Sequence, residues 1–259
     1  MDLGELTNLY DLYDLNNPVA EGGHAIIYAA NDRVLNRQVA IKSLRKEMLT
    51  DNHTRNNFIA ESKLTDQLDP PAIVPIYSLN NDEQNGLFLA MKMINGKTLF
   101  SYLNRVISLY KLDGMNQYDE RKSLLYRLDI FLKICDAMNY AHAQGIIHCD
   151  LKPENIMIGE FRETYVMDWG IAKNVNNITP AKKISGTPRY MSPEVIRCEK
   201  IDQRSDIFSL GVILFELVTL APALTGENYN DVMNYIRHNE ISEVNHRFNA
   251  PVDADLKAI

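Results

Sequence analysis

The chain has 259 residues, enough for one large domain or two smaller lobes around a sizeable core. It is 46% hydrophobic and 24% charged with a formal net charge of −7, an ordinary globular balance that argues against a broad electrostatic grip on nucleic acid. Three cysteines (Cys135, Cys149, Cys198) lack CxxC or Cys/His spacing, so they read as reduced thiols of a cytoplasmic protein, not as a disulfide frame or a zinc site.

The N-terminal MDLGELTNLYDL carries acids where a signal peptide carries lysines, and it lacks an apolar run. The first ninety or so residues read as strands: HAIIYAAND, RQVAIKSL and GLFLAMKMI are short β-branched or aromatic-rich runs. Before the last of these, RNNFIAESKLTDQLD places Phe58, Leu64 and Leu68 on one helical face, and Pro70 and Pro71 close the helix. After Gly96 the texture changes. Residues 102–123 read as a polar, irregular surface insertion. LLYRLDIFLKICDAMNYAHAQG then has Leu128, Phe131, Leu132, Cys135 and Met138 at helical period, with Gly145 as its stop. NIMIGE and ETYVMDWG read as two short strands, followed by a polar segment over residues 174–188 and then further helix. Residues 207–224 approach the length of a membrane span. Glu216 near the middle would cost roughly 2.5 kcal/mol in a bilayer and Pro222 would break the helix, so a buried core helix is the better reading. The outline is a β-rich lobe with one helix, a connector near residues 92–95 and a larger helical lobe, with a ligand cleft expected between them.

Within that outline a few side chains carry chemistry. VAIK ends a strand with Lys42, which either snorkels to water or points into the cleft, where Glu61 of the next helix could fix its direction. HCDLKPEN places Asp150 and Asn155 at a spacing that suits a tight loop restricted by Pro153. Taken alone, it is more often a polar turn than a site. Asp168 follows a strand and precedes Trp169 and Gly170. Such a carboxylate suits magnesium, which favours one or two carboxylates plus substrate phosphates.

The order VAIK, helix glutamate, HCDLKPEN, DWG and SPE (residues 192–194) follows a known template, and over nearly its whole length the chain resembles a eukaryotic-type serine/threonine protein kinase domain. QLDPPAIVPIYSL, VMDWGIAK and SGTPRYMSPE make it most similar to the bacterial members. The resemblance implies an α+β, two-lobed fold: a small antiparallel β lobe with one helix over residues 1–94, binding nucleotide, and a larger mainly helical lobe over 95–259. It implies transfer of the ATP γ-phosphate to protein hydroxyls, with autophosphorylation through self-association, using Mg2+ or alternatively Mn2+. Protein substrates are its implied partners, without nucleic acid or a membrane segment.

The same resemblance assigns residues. Asp150 would take the hydroxyl proton and Lys152 would neutralise the transferring group, while Asn155 and Asp168 would hold the metal. Lys42, held by Glu61, would contact the α- and β-phosphates. Ile27, Ala40 and Met157 would sandwich the adenine, Met91 would be the gatekeeper, and Ala20, Gly22 and Met93 complete the ATP-binding set. Thr187 would seat the acceptor, and Asp206 would tie the catalytic loop to the central helix.

The sequence departs from the family in five places. Lys92 stands just past the gatekeeper, where many relatives carry an acid, which is a question of specificity. Residues 20–25 read AEGGHA, so only Gly22 keeps its place in GxGxxG, which predicts weakened nucleotide binding. Trp169 replaces the usual phenylalanine of DFG. Cys149 replaces an arginine that grips a phosphate on the activation segment, so assembly of the site is expected not to require phosphorylation there, Thr179 and Ser185 being the candidates. DADLKAI stops inside what reads as a further helix, so a fragment of a longer chain is expected. The alternative to an active enzyme is a pseudokinase serving as a nucleotide-sensing or scaffolding module.

Overall fold

The computed structural model describes residues 8–68, 72–82, 84–113, 119–177, 187–224, 229–237 and 242–258. The chain divides into two units, Met1–Asn95 and Gly96–Ile259.

The first unit is built on an antiparallel five-stranded sheet in the order β1-β2-β3-β5-β4, from Tyr13–Glu21 (β1), Ala25–Asp32 (β2), Arg37–Leu44 (β3), Ile76–Asp82 (β4) and Gly86–Lys92 (β5). The apolar runs HAIIYAAND, RQVAIKSL and GLFLAMKMI supply β2, β3 and β5. Strands β1 and β4 are additions that the sequence reading did not single out. β1 is an edge strand, mostly exposed, and its pairing with β2 slips on either side of Pro18, which has no N–H to give to a ladder. Val39, Ile41, Phe88 and Ala90 form a core with Leu9 and Tyr13, whose ring meets Phe88 edge-on at 6.1 Å. A short helix, Leu9–Leu12 (α1), is tied to this core by the Asp82 carboxylate, which accepts the N–H groups of Leu9 (2.6 Å), Gln84 (2.7 Å) and Asn85 (2.9 Å). Burial works to raise the Asp82 pKa, but these accepted bonds outweigh it and bring it down to about 2. The one long helix of this unit, Asn52–Asp66 (α2), starts where Asp51 caps the N–H groups of His53 and Thr54, and it buries Phe58.

The second unit opens with Gly96–Thr98 (β6), which pairs with Ile156–Gly159 (β8) and through it with Thr164–Val166 (β9). Gly96 is required by close approach: a Cβ there would run into the Ile158 carbonyl. Two residues each from Ile146–Ile147 (β7) and Lys173–Asn174 (β10) form a second small ladder. The expectation of an irregular insertion over residues 102–123 is wrong in its first half. Leu99–Asp113 is a helix (α3) burying Leu99, Tyr102, Leu103 and Val106, the i, i+3, i+4, i+7 face that its polar residues disguised.

The long helix expected before Gly145 is present as Leu124–Ala143 (α4), capped by Ser123 and ended by Gly145 at φ 72°. Of the expected face, Met138 is buried, Leu128, Phe131 and Cys135 are half-buried, and Leu132 is exposed. Arg127, Ile130, Ile134, Ala137, Met138 and Ala141 face inward, whereas Leu132 is 62% exposed. Arg127 belongs to the buried stripe because its guanidinium donates to the carbonyls of Leu217 and Val218, the last turn of Arg204–Thr219 (α6). Those carbonyls have no helical partner, and a cation suits a helix C-terminus.

Helix α6 is the core of this unit, with Leu210, Val212, Ile213, Leu214, Leu217 and Val218 buried, as the apolar run implied. It ends before Pro222, at Leu220 in the left-handed conformation (φ 57°). Among the described residues no helix is long and apolar enough to cross a membrane. Pro193–Ile196 (α5) and Tyr229–Arg237 (α7) share a cluster of Met191, Ile196, Leu224, Val232, Met233 and Ile236, and Ala254–Ala258 (α8) follows.

Glu216, the acid within the apolar run, is 9% exposed, and the Tyr190 hydroxyl donates to its carboxylate at 3.0 Å. Burial pushes its pKa up to about 7; the Tyr190 bond only partly opposes this. An ordinary glutamate titrates near 4.5, so between those values the folded chain keeps a proton that the unfolded chain loses. The stability that neutral Glu216 contributes is therefore full below about 4.5 and lost as pH rises towards about 7. Its slope is at most about 1.4 kcal/mol per pH unit. Urea denaturation across this window should show the decline in the parent and a flatter curve in Glu216→Gln; equal slopes would refute the assignment.

Candidate active site

In the first unit, Lys42 lies on β3 opposite Ile27 of β2 and Leu89 of β5. Its ammonium donates to Glu61 Oε1 of α2 at 2.5 Å, the partner that the sequence reading named for it. Both side chains are less than one-fifth exposed, 19% and 17%, which makes this a partly desolvated pair and not a mobile surface contact. The register also aligns Ala20 with Ile27 and Ala40 with Met91. Ala40 and Met91 are buried, while Ile27 and Met93, just past β5, are half-buried. Gly22 starts a tight turn between β1 and β2, closed by its N–H to the Ala25 carbonyl at 2.9 Å.

In the second unit, one carboxylate gathers the loop after β7. Asp150 Oδ2 accepts the Lys152 ammonium at 2.6 Å and the Asn155 amide at 3.2 Å, and Oδ1 accepts the Thr187 N–H at 3.1 Å. Lys152 also donates to Thr187 Oγ1 at 2.9 Å, so a single cation joins residues 35 apart in sequence. Asn155 spends its amide nitrogen on Asp150, with a further bond to the Asp150 carbonyl at 2.9 Å. No described residue donates to Asn155 Oδ1 or to the exposed Asp168 carboxylate, and both are hard oxygen donors of the kind a divalent cation takes. The Asn155 carbonyl accepts the Met167 N–H at 2.8 Å, which fixes the chain one residue before Asp168. Asp168 itself has φ 60°, a left-handed conformation unusual for a residue with a side chain. Met157 lies on β8 between Thr98 and Tyr165, half-buried. Ser205 Oγ donates to Glu194 Oε1 at 2.6 Å. Thr179 and Ser185 lie outside the described residues.

Three groups hold this loop in place. Asp206, 1% exposed in the first turn of α6, accepts the N–H groups of His148 (2.8 Å) and Cys149 (3.0 Å). Its Oδ2 also accepts His142 Nε2–H at 2.8 Å, a contact from α4 that no sequence signal marked, since the two residues are 64 apart. His148 is fully buried, and its neighbours fix its tautomer. The Met167 carbonyl can only accept, so Nε2 carries the proton (2.9 Å), while Nδ1 accepts the Asp150 N–H at 3.2 Å. The His148 ring lies 4.5 Å from that of Trp169, itself 2% exposed.

Cys149 has φ 68°, and its thiol lies 3.6 Å from the Ile147 carbonyl. Burial first, then the nearby Asp206 and Asp150 charges, push the thiol up to about 12, so it stays protonated and unreactive at neutral pH.

The Asp206 bonds predict a local phenotype. Asp206→Asn keeps one acceptor and places an amide donor against the other N–H, which should cost about 2–4 kcal/mol. Hydrogen exchange should quicken at His148 and Cys149 before it does so in the helices. Unchanged protection at these two amides would contradict the anchoring role.

Comparison with known proteins places these observations. The family model described as protein kinase domain matches residues 13–258. The chain is similar to the serine/threonine-protein kinase PknD of Protochlamydia amoebophila, 34% identical over 229 residues that cover 81% of this chain and 23% of that protein. Its likeness to PknD of Chlamydia caviae is again 34% over 229 residues (81% and 24%), and to PknD of Chlamydia trachomatis serovar D 33% over 233 residues (81% and 25%). The chain thus spans about a quarter of the length of these curated relatives.

Proposed function

The chain belongs to the protein kinase domain family, and from that premise we propose that it transfers the γ-phosphoryl group of ATP to serine and threonine hydroxyls of proteins. The observation that carries the reading is Asp150: an anchored carboxylate touching both a cation, Lys152, and the backbone of the residue expected to seat an acceptor, Thr187. Kinases of this family use ATP and a divalent cation. When bound, the nucleotide supplies the phosphoryl group and the metal spreads its charge.

Asp150 orients the acceptor hydroxyl and takes its proton as the oxygen attacks phosphorus, while the bond from phosphorus to the β-phosphate oxygen breaks. Lys152 neutralises charge on the group in transit, and its bond to Thr187 keeps it directed there. Lys42, fixed by Glu61, is assigned to the α- and β-phosphates. Asn155 Oδ1 and the Asp168 carboxylate are assigned to magnesium, with manganese as the substitute. Ile27, Ala40, Met91, Met93 and Met157 are assigned to the adenine, and Ala20 and Gly22 to the loop over the phosphates. The chain is assigned to the cytoplasm and to autophosphorylation between copies. No feature of the geometry favours the non-catalytic alternative.

Intact mass after incubation with ATP and magnesium tests the reading. Added phosphates are expected in the parent, whereas Asp150→Asn and Lys42→Met should be slowed by about 10²–10⁴-fold. A parent that binds nucleotide yet gains no phosphate would overturn it.

Cys149 supports a finer proposal: the loop is assembled by Asp206 and not by a phosphorylated activation segment, since a protonated thiol cannot grip a phosphate. Phosphatase treatment should leave the parent's activity unchanged and lower that of Cys149→Arg. A phosphatase-sensitive parent would sink this.

A further inference from the structure

We propose that Arg45 is a positioning residue for the phosphate-binding loop, holding in place by side-chain bonds a turn that has lost two of its three family glycines; this rests on the reading of residues 20–25 given above. Arg45 follows β3 immediately, three residues after Lys42. Its Nε–H donates to the Gly22 carbonyl and its Nη2 to Glu21 Oε2, both at 2.9 Å. Its own backbone N–H donates to the His24 carbonyl, also at 2.9 Å. One residue therefore holds the loop at three points, Glu21, Gly22 and His24. The Gly22 N–H to Ala25 carbonyl bond closes the turn within that grip.

The consequence follows from peptide geometry. A trans peptide points its C=O and the next N–H in opposite directions. Drawing the Gly22 and His24 carbonyls towards Arg45 turns the N–H groups of Gly23 and Ala25 the other way. The Gly23 N–H has no hydrogen-bond partner among the described residues, and such an oriented donor suits a phosphate oxygen. A loop with glycines at all three positions could reach this orientation freely but would lose more entropy on binding. Here Ala20 and Ala25 restrict the backbone and Arg45 selects the peptide planes. Binding energy that would otherwise order the loop is conserved.

A plain surface ion pair is the competing explanation. The carboxylate of Glu21 is 57% exposed, and such pairs contribute little to stability. The two readings differ in what they predict for ligands. A loop-positioning residue matters for ligands that carry phosphates and not for a bare nucleoside, whereas a residue that only supports the fold affects both or neither.

Calorimetric titration with ATP plus magnesium, and separately with adenosine, decides the matter for the parent, Arg45→Ala, Arg45→Lys and Glu21→Gln. Arg45→Ala should weaken ATP binding by about fivefold to tenfold, the loss expected for one or two hydrogen bonds, with adenosine affinity and unliganded melting temperature unchanged. Arg45→Lys keeps the charge but lacks the planar fork, so it should recover only part of the loss, and Glu21→Gln should lose least. Unaltered ATP affinity in Arg45→Ala, or a parallel loss for adenosine, overturns the proposal. Because binding is read apart from turnover, a parent that binds ATP without adding phosphate defeats the kinase reading and still decides the role of Arg45. A parent that binds no ATP defeats both.

Discussion

The loop after β7 in the second unit depends on one buried carboxylate. Asp206 has almost no contact with water and is kept there by three donors, the N–H groups of His148 and Cys149 and the ring of His142. Without them an acid in that position would be severely penalised. With them the Cys149 N–H is fixed on Asp206 while Cys149 itself holds a left-handed conformation (φ 68°) directly before Asp150. The position at the start of α6 adds to this, since a helix N-terminus favours a negative charge. The far end of the same helix is held by Arg127, and its middle by Tyr190 on Glu216 and by Ser209, which donates to the Tyr190 carbonyl at 2.7 Å. One helix thus ties the loop carrying Asp150 to the segment that carries Thr187 and Tyr190.

Much of this architecture is legible in the sequence, for reasons that differ by element. Strands β2, β3 and β5 and helix α6 are dense apolar runs, and the physics that buries them is local. Strands β1 and β4 carry few apolar residues and exist because β2 and β5 offer them ladders, which a linear reading does not show. In α4 the helix was legible but its inward face only in part. Arg127, Ala137 and Ala141 look like surface positions, whereas Leu132 looks like core. The burial of Arg127 depends on carbonyls 90 or 91 residues away. The side chains proposed to react were legible as residue types in a familiar order. Their connections were not: the bonds of Lys152 to Thr187 and of His142 to Asp206 join distant segments through single atoms.

The first unit shows a different balance between motif and structure. The glycine pattern in residues 20–25 is eroded, and by pattern alone nucleotide binding should suffer. The bonds from Arg45 provide a physical reason why loss of backbone freedom need not mean loss of shape. A loop can be ordered by what it lacks or by what holds it, and the second route leaves no trace in a glycine count. The Lys42–Glu61 pair is the complementary case, in which a familiar motif and a 2.5 Å contact coincide.

The position of Trp169 gives the molecule an optical property of its own. It is the sole tryptophan of the chain, 2% exposed, with its ring against a histidine whose proton is placed by the Asp150 N–H and the Met167 carbonyl. Its emission therefore reports the environment of His148, beside the Asp150 loop, and not an average over the fold. A shift in its wavelength or lifetime on adding a ligand would register a change in that His148 contact, with no label introduced. The intrinsic fluorescence of this chain is accordingly a local gauge of whether the loop carrying His148 and Asp150 is in register.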